Sequence, residues 1–182
     1  MNVELDIEKV NRHNFRSCLA ALAEPGKTQP LFPLFDSELL ALASLLLYPE
    51  VGYHYRGTLD FQLIEAISGA QGTAVDAADY LFADHPDPEL LSGAKVGTAE
   101  SPEFGATLVF GWPPAGHQQQ TVRLRGPGID GVVEVDLPFT GQFFELLQER
   151  NSSFPMGVDL LLVGPDQRLL GLPRTTTIEV CG

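Results

Sequence analysis

The sequence predicts an α/β protein in which a mixed sheet lies between layers of helices. Three observations predict it. Stretches with helical apolar spacing alternate with short strand-like runs through most of the chain. Val158 to Val163 is an almost unbroken apolar run with no polar alternation, as expected of a strand covered on both faces. The chain then turns at Gly164-Pro165-Asp166-Gln167 and returns through Arg168 to Leu172, so the last two strands form an antiparallel hairpin. At 182 residues, 44% hydrophobic and 19% charged, the chain fits one domain, 1–182, with a sizeable core.

Taken in order, Phe15, Cys18, Leu19 and Leu22 are spaced i, i+3, i+4, i+7, the inward stripe of a first helix that Glu24-Pro25-Gly26 ends. Asp36 or Ser37 caps a second, burying Leu39, Leu40, Ala43, Leu46 and Leu47 and ending at Tyr48-Pro49. Val51, Tyr53 and Tyr55 alternate with Gly52, His54 and Arg56, which predicts a strand with His54 and Arg56 on one face. Thr58 is the expected cap of a third helix, with Phe61, Ile64, Ile67 and Leu63 inward and Gly69 just past its end. Tyr80 to Phe82 reads as a strand, His85-Pro86-Asp87-Pro88 as a rigid turn, and Glu89 to Leu91 as a short helix. The small-residue loop Gly97 to Gly105 leads into a strand at Ala106 to Phe110, and Trp112 to Gly116 into an exposed connection extended by Gln118-Gln119-Gln120. Thr121 to Arg125 alternates, with Val122 and Leu124 on one face and Thr121, Arg123 and Arg125 on the other; Gly126-Pro127-Gly128 turns the chain. A strand at Val132 to Val135 and a helix from Thr140 to Arg150 follow.

The charge balance bounds the function. Eleven Lys and Arg stand against 24 Asp and Glu, a net charge of -13, which opposes general binding to nucleic acid and leaves small anions possible. The longest apolar runs fall short of the roughly twenty residues of a membrane span. The acidic opening, Met1 to Asp6, lacks the form of an export signal, so the expected location is cytoplasmic. Two cysteines, Cys18 and Cys181, make neither a metal cluster nor a disulfide framework. His85 with Asp84 and Asp87 reads as a capped turn, and no metal site is expected.

Two places suit an anion. Pro173 ends the last strand and is followed by Arg174, Thr175, Thr176 and Thr177, a cation and hydroxyls set within the most apolar part of the chain. They can bind phosphate or carboxylate, meet a partner, or cap a strand end; Asp159, opposite in the hairpin, is placed to pair with Arg174 structurally. Arg123 and Arg125, with turn amides at Gly126 and Gly128, form the second, read equally as arginines on a wet edge. Arg16 is either a solvated helix arginine or an anion or subunit contact. No nucleophile-base pair is apparent among the scattered histidines His13, His54, His85 and His117, so a self-sufficient hydrolase is not expected.

Phe154-Pro155-Met156-Gly157-Val158-Asp159-Leu160 and Leu172-Pro173-Arg174-Thr175-Thr176-Thr177-Ile178-Glu179-Val180-Cys181 resemble the carboxyl end of the H subunit (PhnH family) of the bacterial carbon-phosphorus lyase system of phosphonate degradation. Phe15-Arg16 with Glu24-Pro25-Gly26, Gly97-Thr98 with Pro102 and Gly105 to Leu108, and Leu124 to Ile129 match in the same order, so the likeness spans nearly the whole chain. It implies a three-layer α/β/α fold like the large domain of pyridoxal-phosphate (PLP)-dependent transferases, and a homodimer when isolated. It implies work with partner subunits G, I and L in forming alkylphosphonate ribose 5-triphosphate from ATP and alkylphosphonate with release of adenine, in a system whose J subunit cleaves the carbon-phosphorus bond. It also places Thr98 and Arg16 among the ligand or interface candidates. No PLP is expected on this chain, because a Schiff base needs a lysine and Lys9, Lys27 and Lys95 all lie outside the carboxy-terminal motifs. ATP would be a substrate of the complex. The rival reading is a stand-alone nucleotide- or phosphonate-binding enzyme using the Arg123, Arg125 and Gly126-Pro127-Gly128 turn.

Overall fold

The computed structural model describes residues 7–113, 117–164 and 166–181. The opening segment, positions 114–116 of the connection and position 165 of the last turn lie outside them. Along the chain run α1 (Ile7–Ala23), β1 (Gln29–Pro30), α2 (Glu38–Leu46), β2 (Gly52–Arg56), α3 (Phe61–Ser68), β3 (Gln71–Gly72), β4 (Tyr80–Ala83), α4 (Pro88–Gly93), a 3-10 turn (Pro102–Phe104), β5 (Thr107–Gly111), β6 (Gln120–Arg125), β7 (Val133–Leu137), α5 (Gly141–Arg150), β8 (Asp159–Gly164), β9 (Arg168–Leu172) and β10 (Thr177–Val180).

A seven-stranded mixed sheet, ordered β1-β9-β8-β5-β4-β2-β3, divides the molecule. β3, β2, β4, β5 and β8 are parallel, and β9 returns antiparallel to β8 with Leu160 opposite Leu172. Because side chains alternate along a strand, Leu161 and Val163 of β8 face one core with Leu39, Leu42 and Ala43 of α2 and Phe61 and Ile64 of α3. Leu160 and Leu162 face the other, with Phe143, Phe144 and Leu147 of α5 and Leu90 and Leu91 of α4. A strand with cores on both sides has no position for a polar residue, which accounts for the apolar run.

The second covering layer differs from the expectation of helices alone. β10, β6 and β7 form a separate three-stranded antiparallel sheet, and its Val122, Leu124 and Ile178 pack into the same core as α5. The tail after Arg174 is therefore a strand, paired Thr177 to Arg125 and Val180 to Val122.

Local signals set most boundaries. Ser37 accepts from the Leu40 amide at 3.2 Å and caps α2, Thr140 accepts from Phe143 at 3.2 Å and caps α5, and Gly69 ends α3 at φ 72°. Asp60, not Thr58, caps α3, because the Thr58 amide and hydroxyl both bond Asp84. Ile67 and Leu63 are exposed on α3, which is seated through Phe61 and Ile64. The connection after β5 is not exposed throughout: Pro113 is buried and Trp112 packs against the core.

The face of α1 is also rotated from the expected stripe. Phe15 and Leu19 are more than half exposed, while Asn14, Ser17, Cys18 and Ala21 are buried. The cause is Gly171 of β9: a Cβ there would lie 2.6 Å from the Ala21 carbonyl oxygen and 3.0 Å from the Leu22 amide, so the helix rides directly on the strand and presents small residues to it. Asn14 completes the seat by exchanging two 2.9 Å hydrogen bonds with the Phe32 backbone.

Gly171→Ala is expected to push α1 off the sheet and lower unfolding stability by about 1–3 kcal/mol in urea titrations. Burial pushes the Cys18 thiol up to about 12, so at pH 8 a disulfide reagent is expected to titrate Cys181 in the folded protein and both thiols in urea.

Candidate functional site

Asp159 opens β8 and Pro173 follows β9, so the hairpin register sets Arg174 beside Asp159 at the amino end of the parallel strands. Asp159 Oδ1 accepts from the Arg174 amide at 2.8 Å, and Oδ2 accepts from Nη2 at 2.6 Å and Nε at 3.2 Å. Arg174 Nη1 donates to the Pro102 carbonyl at 2.8 Å and to that of Pro155 at 3.4 Å. A Cβ on Gly105 would lie 2.8 Å from Nη1, so the glycine leaves room for the guanidinium. The pair is largely withdrawn from solvent, with side-chain exposures of 13% for Arg174 and 24% for Asp159. The structural pairing is thus the one observed, and Arg174 ties together the 97–105 loop, the 154–157 segment and the tail.

Beside it lies a cleft of about 600 Å³, lined by Arg174, Thr175, Thr176, Gln148, Asn151 and Phe154, with Pro127 at its rim. Thr176 Oγ1 is buried without a hydrogen-bond partner among the described residues, a cost held within the cleft wall. Asn151 holds the wall by exchanging hydrogen bonds with Val158, and the Gln148 amide donates to the Ile178 carbonyl. Phe154 is 68% exposed, and Phe104, on the turn whose Pro102 carbonyl meets Arg174, is 60% exposed.

The structure brings the two predicted sites together, though not their cations. Gly126 packs on the tail, where a Cβ would sit 2.8 Å from the Thr175 carbonyl, and the turn places Pro127 in the cleft. At Gly128 the space for a side chain is filled by the Ala23 backbone. Arg123 bonds Glu134 across the sheet at 2.8 Å and Arg125 is exposed opposite Thr177; neither lines the cleft. Thr98 accepts from the Ser101 amide at 3.1 Å and closes the loop turn. Arg16 is exposed on α1 beside Lys9, Arg12 and His13.

The carboxyl ends of β2 and β4 are tied by another cluster. Tyr55 donates to Asp84 at 2.6 Å, and burial and that carboxylate both push its hydroxyl pKa up. Arg56 pairs with Asp87 and Glu89, and Asp87 caps α4. His54 Nδ1 lies 3.0 Å from the Thr73 carbonyl. Among the described residues no three His, Cys, Asp or Glu are grouped to hold a metal, and no helix is long and apolar enough to cross a membrane. Sequence reasoning missed Gln148, Asn151 and Phe154 as cleft residues. Only Phe154 carried a signal, as an aromatic beside the Pro155-Met156-Gly157 turn.

Fold and site define a mixed-sheet α/β protein with a polar cleft shaped by an arginine–aspartate tie. Residues 6–179 match the family described as bacterial phosphonate metabolism protein (PhnH), and the chain belongs to that family. It is 32% identical over 174 residues, 92% of this chain and 85% of the other, to a protein of Stutzerimonas stutzeri named putative C-P lyase subunit protein HtxG.

Removing Arg174 leaves Asp159 unpaired in a mostly buried site, so Arg174→Ala is expected to cost about 3 kcal/mol of unfolding stability. A thermal double-mutant cycle with Asp159→Ala checks the coupling, about 1–3 kcal/mol between the two positions.

Proposed function

We propose that this chain is a subunit of a carbon-phosphorus lyase system for organic phosphonate catabolism. It acts with G, I and L partner subunits in forming alkylphosphonate ribose 5-triphosphate from ATP and an alkylphosphonate with release of adenine, upstream of the J subunit that cleaves the carbon-phosphorus bond, without a complete catalytic set of its own. The observation that carries this reading is the Arg174 cleft: its cation is spent on Asp159, yet its wall carries an exposed Phe154. An exposed aromatic on a cleft whose cation is already paired suits docking better than chemistry on a bound substrate. The Stutzerimonas stutzeri relative, matched over most of both chains, supports the same role.

The large mixed sheet is proposed to share its layout with PLP-dependent transferases while holding no PLP. A Schiff base needs a free lysine amine, and Lys27 and Lys95 are paired with Glu24 and Asp79. The proposed setting is the cytoplasm, with a homodimer as the state of the isolated chain. A stand-alone enzyme built on Arg123 and Arg125 has less to support it, since Arg123 is engaged by Glu134.

Co-expression of the tagged chain with the other subunits tests the proposal. Phe154→Glu, at an exposed position, is expected to keep the wild-type melting temperature and to lose most co-purifying partner. Calorimetry on the isolated chain is expected to show no turnover of ATP with methylphosphonate. Substantial turnover by the chain alone, or full partner recovery with Phe154→Glu, would overturn it.

A further inference from the structure

We propose that the amino-terminal half of α1 carries a second binding site, for a small polyanion of the phosphate or polyphosphate class. Lys9, Arg12, His13 and Arg16 are spaced i, i+3, i+4, i+7 and so share one helix face. Together with Val10 and Phe32 they line a cavity of about 560 Å³. The floor is fixed: Asn14 clamps the Phe32 backbone with two hydrogen bonds, and the Phe32 ring lies 4.2 Å from that of His13. His13 Nε2, buried where the ring meets Phe32, has no hydrogen-bond partner among the described residues.

Charge decides the class of ligand. The chain has a net charge of -13, yet three of its eleven Lys and Arg, Lys9, Arg12 and Arg16, stand within two turns of α1. Glu8 pairs with Arg12 at 2.8 Å, but both side chains are more than 60% exposed, so that bond is readily exchanged for one to a ligand. An extended polyanion, such as nucleic acid or a long acidic segment, would lie along the acidic remainder of the surface and be repelled. A compact anion stays within about one screening length, roughly 8 Å, of the cations. Arginines fork onto phosphate oxygens, and the 44% exposed Phe32 offers a face for a base or other apolar group attached to the phosphate. This site is separate from the Arg174 cleft and does not rest on the role proposed for it.

Calorimetric titration of the full chain at low salt with sodium tripolyphosphate, and separately with ATP, tests the site. One-to-one binding is expected, weakened about tenfold or more by Arg16→Glu and by a smaller factor by Arg16→Gln. Lys27→Glu, a matched charge change beyond the other end of α1, is expected to leave it unchanged. Tighter binding of ATP than of tripolyphosphate assigns the ligand to nucleotides, and equal binding assigns it to the phosphate chain alone. No binding of either probe, or equal weakening by Lys27→Glu and Arg16→Glu, overturns the proposal.

Discussion

The bond between Arg174 and Asp159 is the constraint on which the architecture around the cleft depends. Either charge would be costly to withdraw from water alone. Together, with the Arg174 amide on the same carboxylate and two backbone carbonyls on the guanidinium, they satisfy one another. The three groups that satisfy the arginine come from two regions some fifty residues apart: the Pro102 carbonyl in the 3-10 turn before β5, and the Pro155 carbonyl and Asp159 carboxylate at the entry to β8. A lysine could supply the charge but not the fork that reaches all three.

That tie makes the rest of the carboxyl end meaningful. It fixes where the chain leaves β9, so Thr177 to Val180 can pair with β6 and close the small sheet over the α5 core. The same path leaves Thr175 and Thr176 between the two sheets, where both residues line the cleft. The arginine, which looks chemically potent in the sequence, is thereby engaged within the fold. The polar cluster at the opposite strand ends, Tyr55 with Asp84 and Thr58, is built in the same way: its carboxylate oxygens are met by protein donors.

Much of this was legible in the chain and some was not, for identifiable reasons. The buried strand, its hairpin and the Asp159–Arg174 pairing follow from local pattern, because a tight turn fixes register. β10 escaped notice although Ile178 and Val180 alternate with Thr177 and Glu179, since its partner lies some fifty residues away and nothing local signals the pairing. The face of α1 was misread because periodicity favours the large residues Phe15 and Leu19, whereas Gly171, far along the chain, demands small ones. At the sites, residue type pointed to Arg123, but only the neighbouring strand reveals Glu134 across from it. Asn151 and Gln148 carry no sequence signal at all; they matter through backbone groups they happen to reach.

Amide hydrogen exchange on Arg174→Ala protein tests the central claim most directly. The account predicts faster exchange confined to the 96–105 loop, the 154–159 segment and the 174–180 tail, while β4 and β5 keep wild-type protection. Wild-type protection throughout those three segments would contradict it, since they would then be held without the guanidinium.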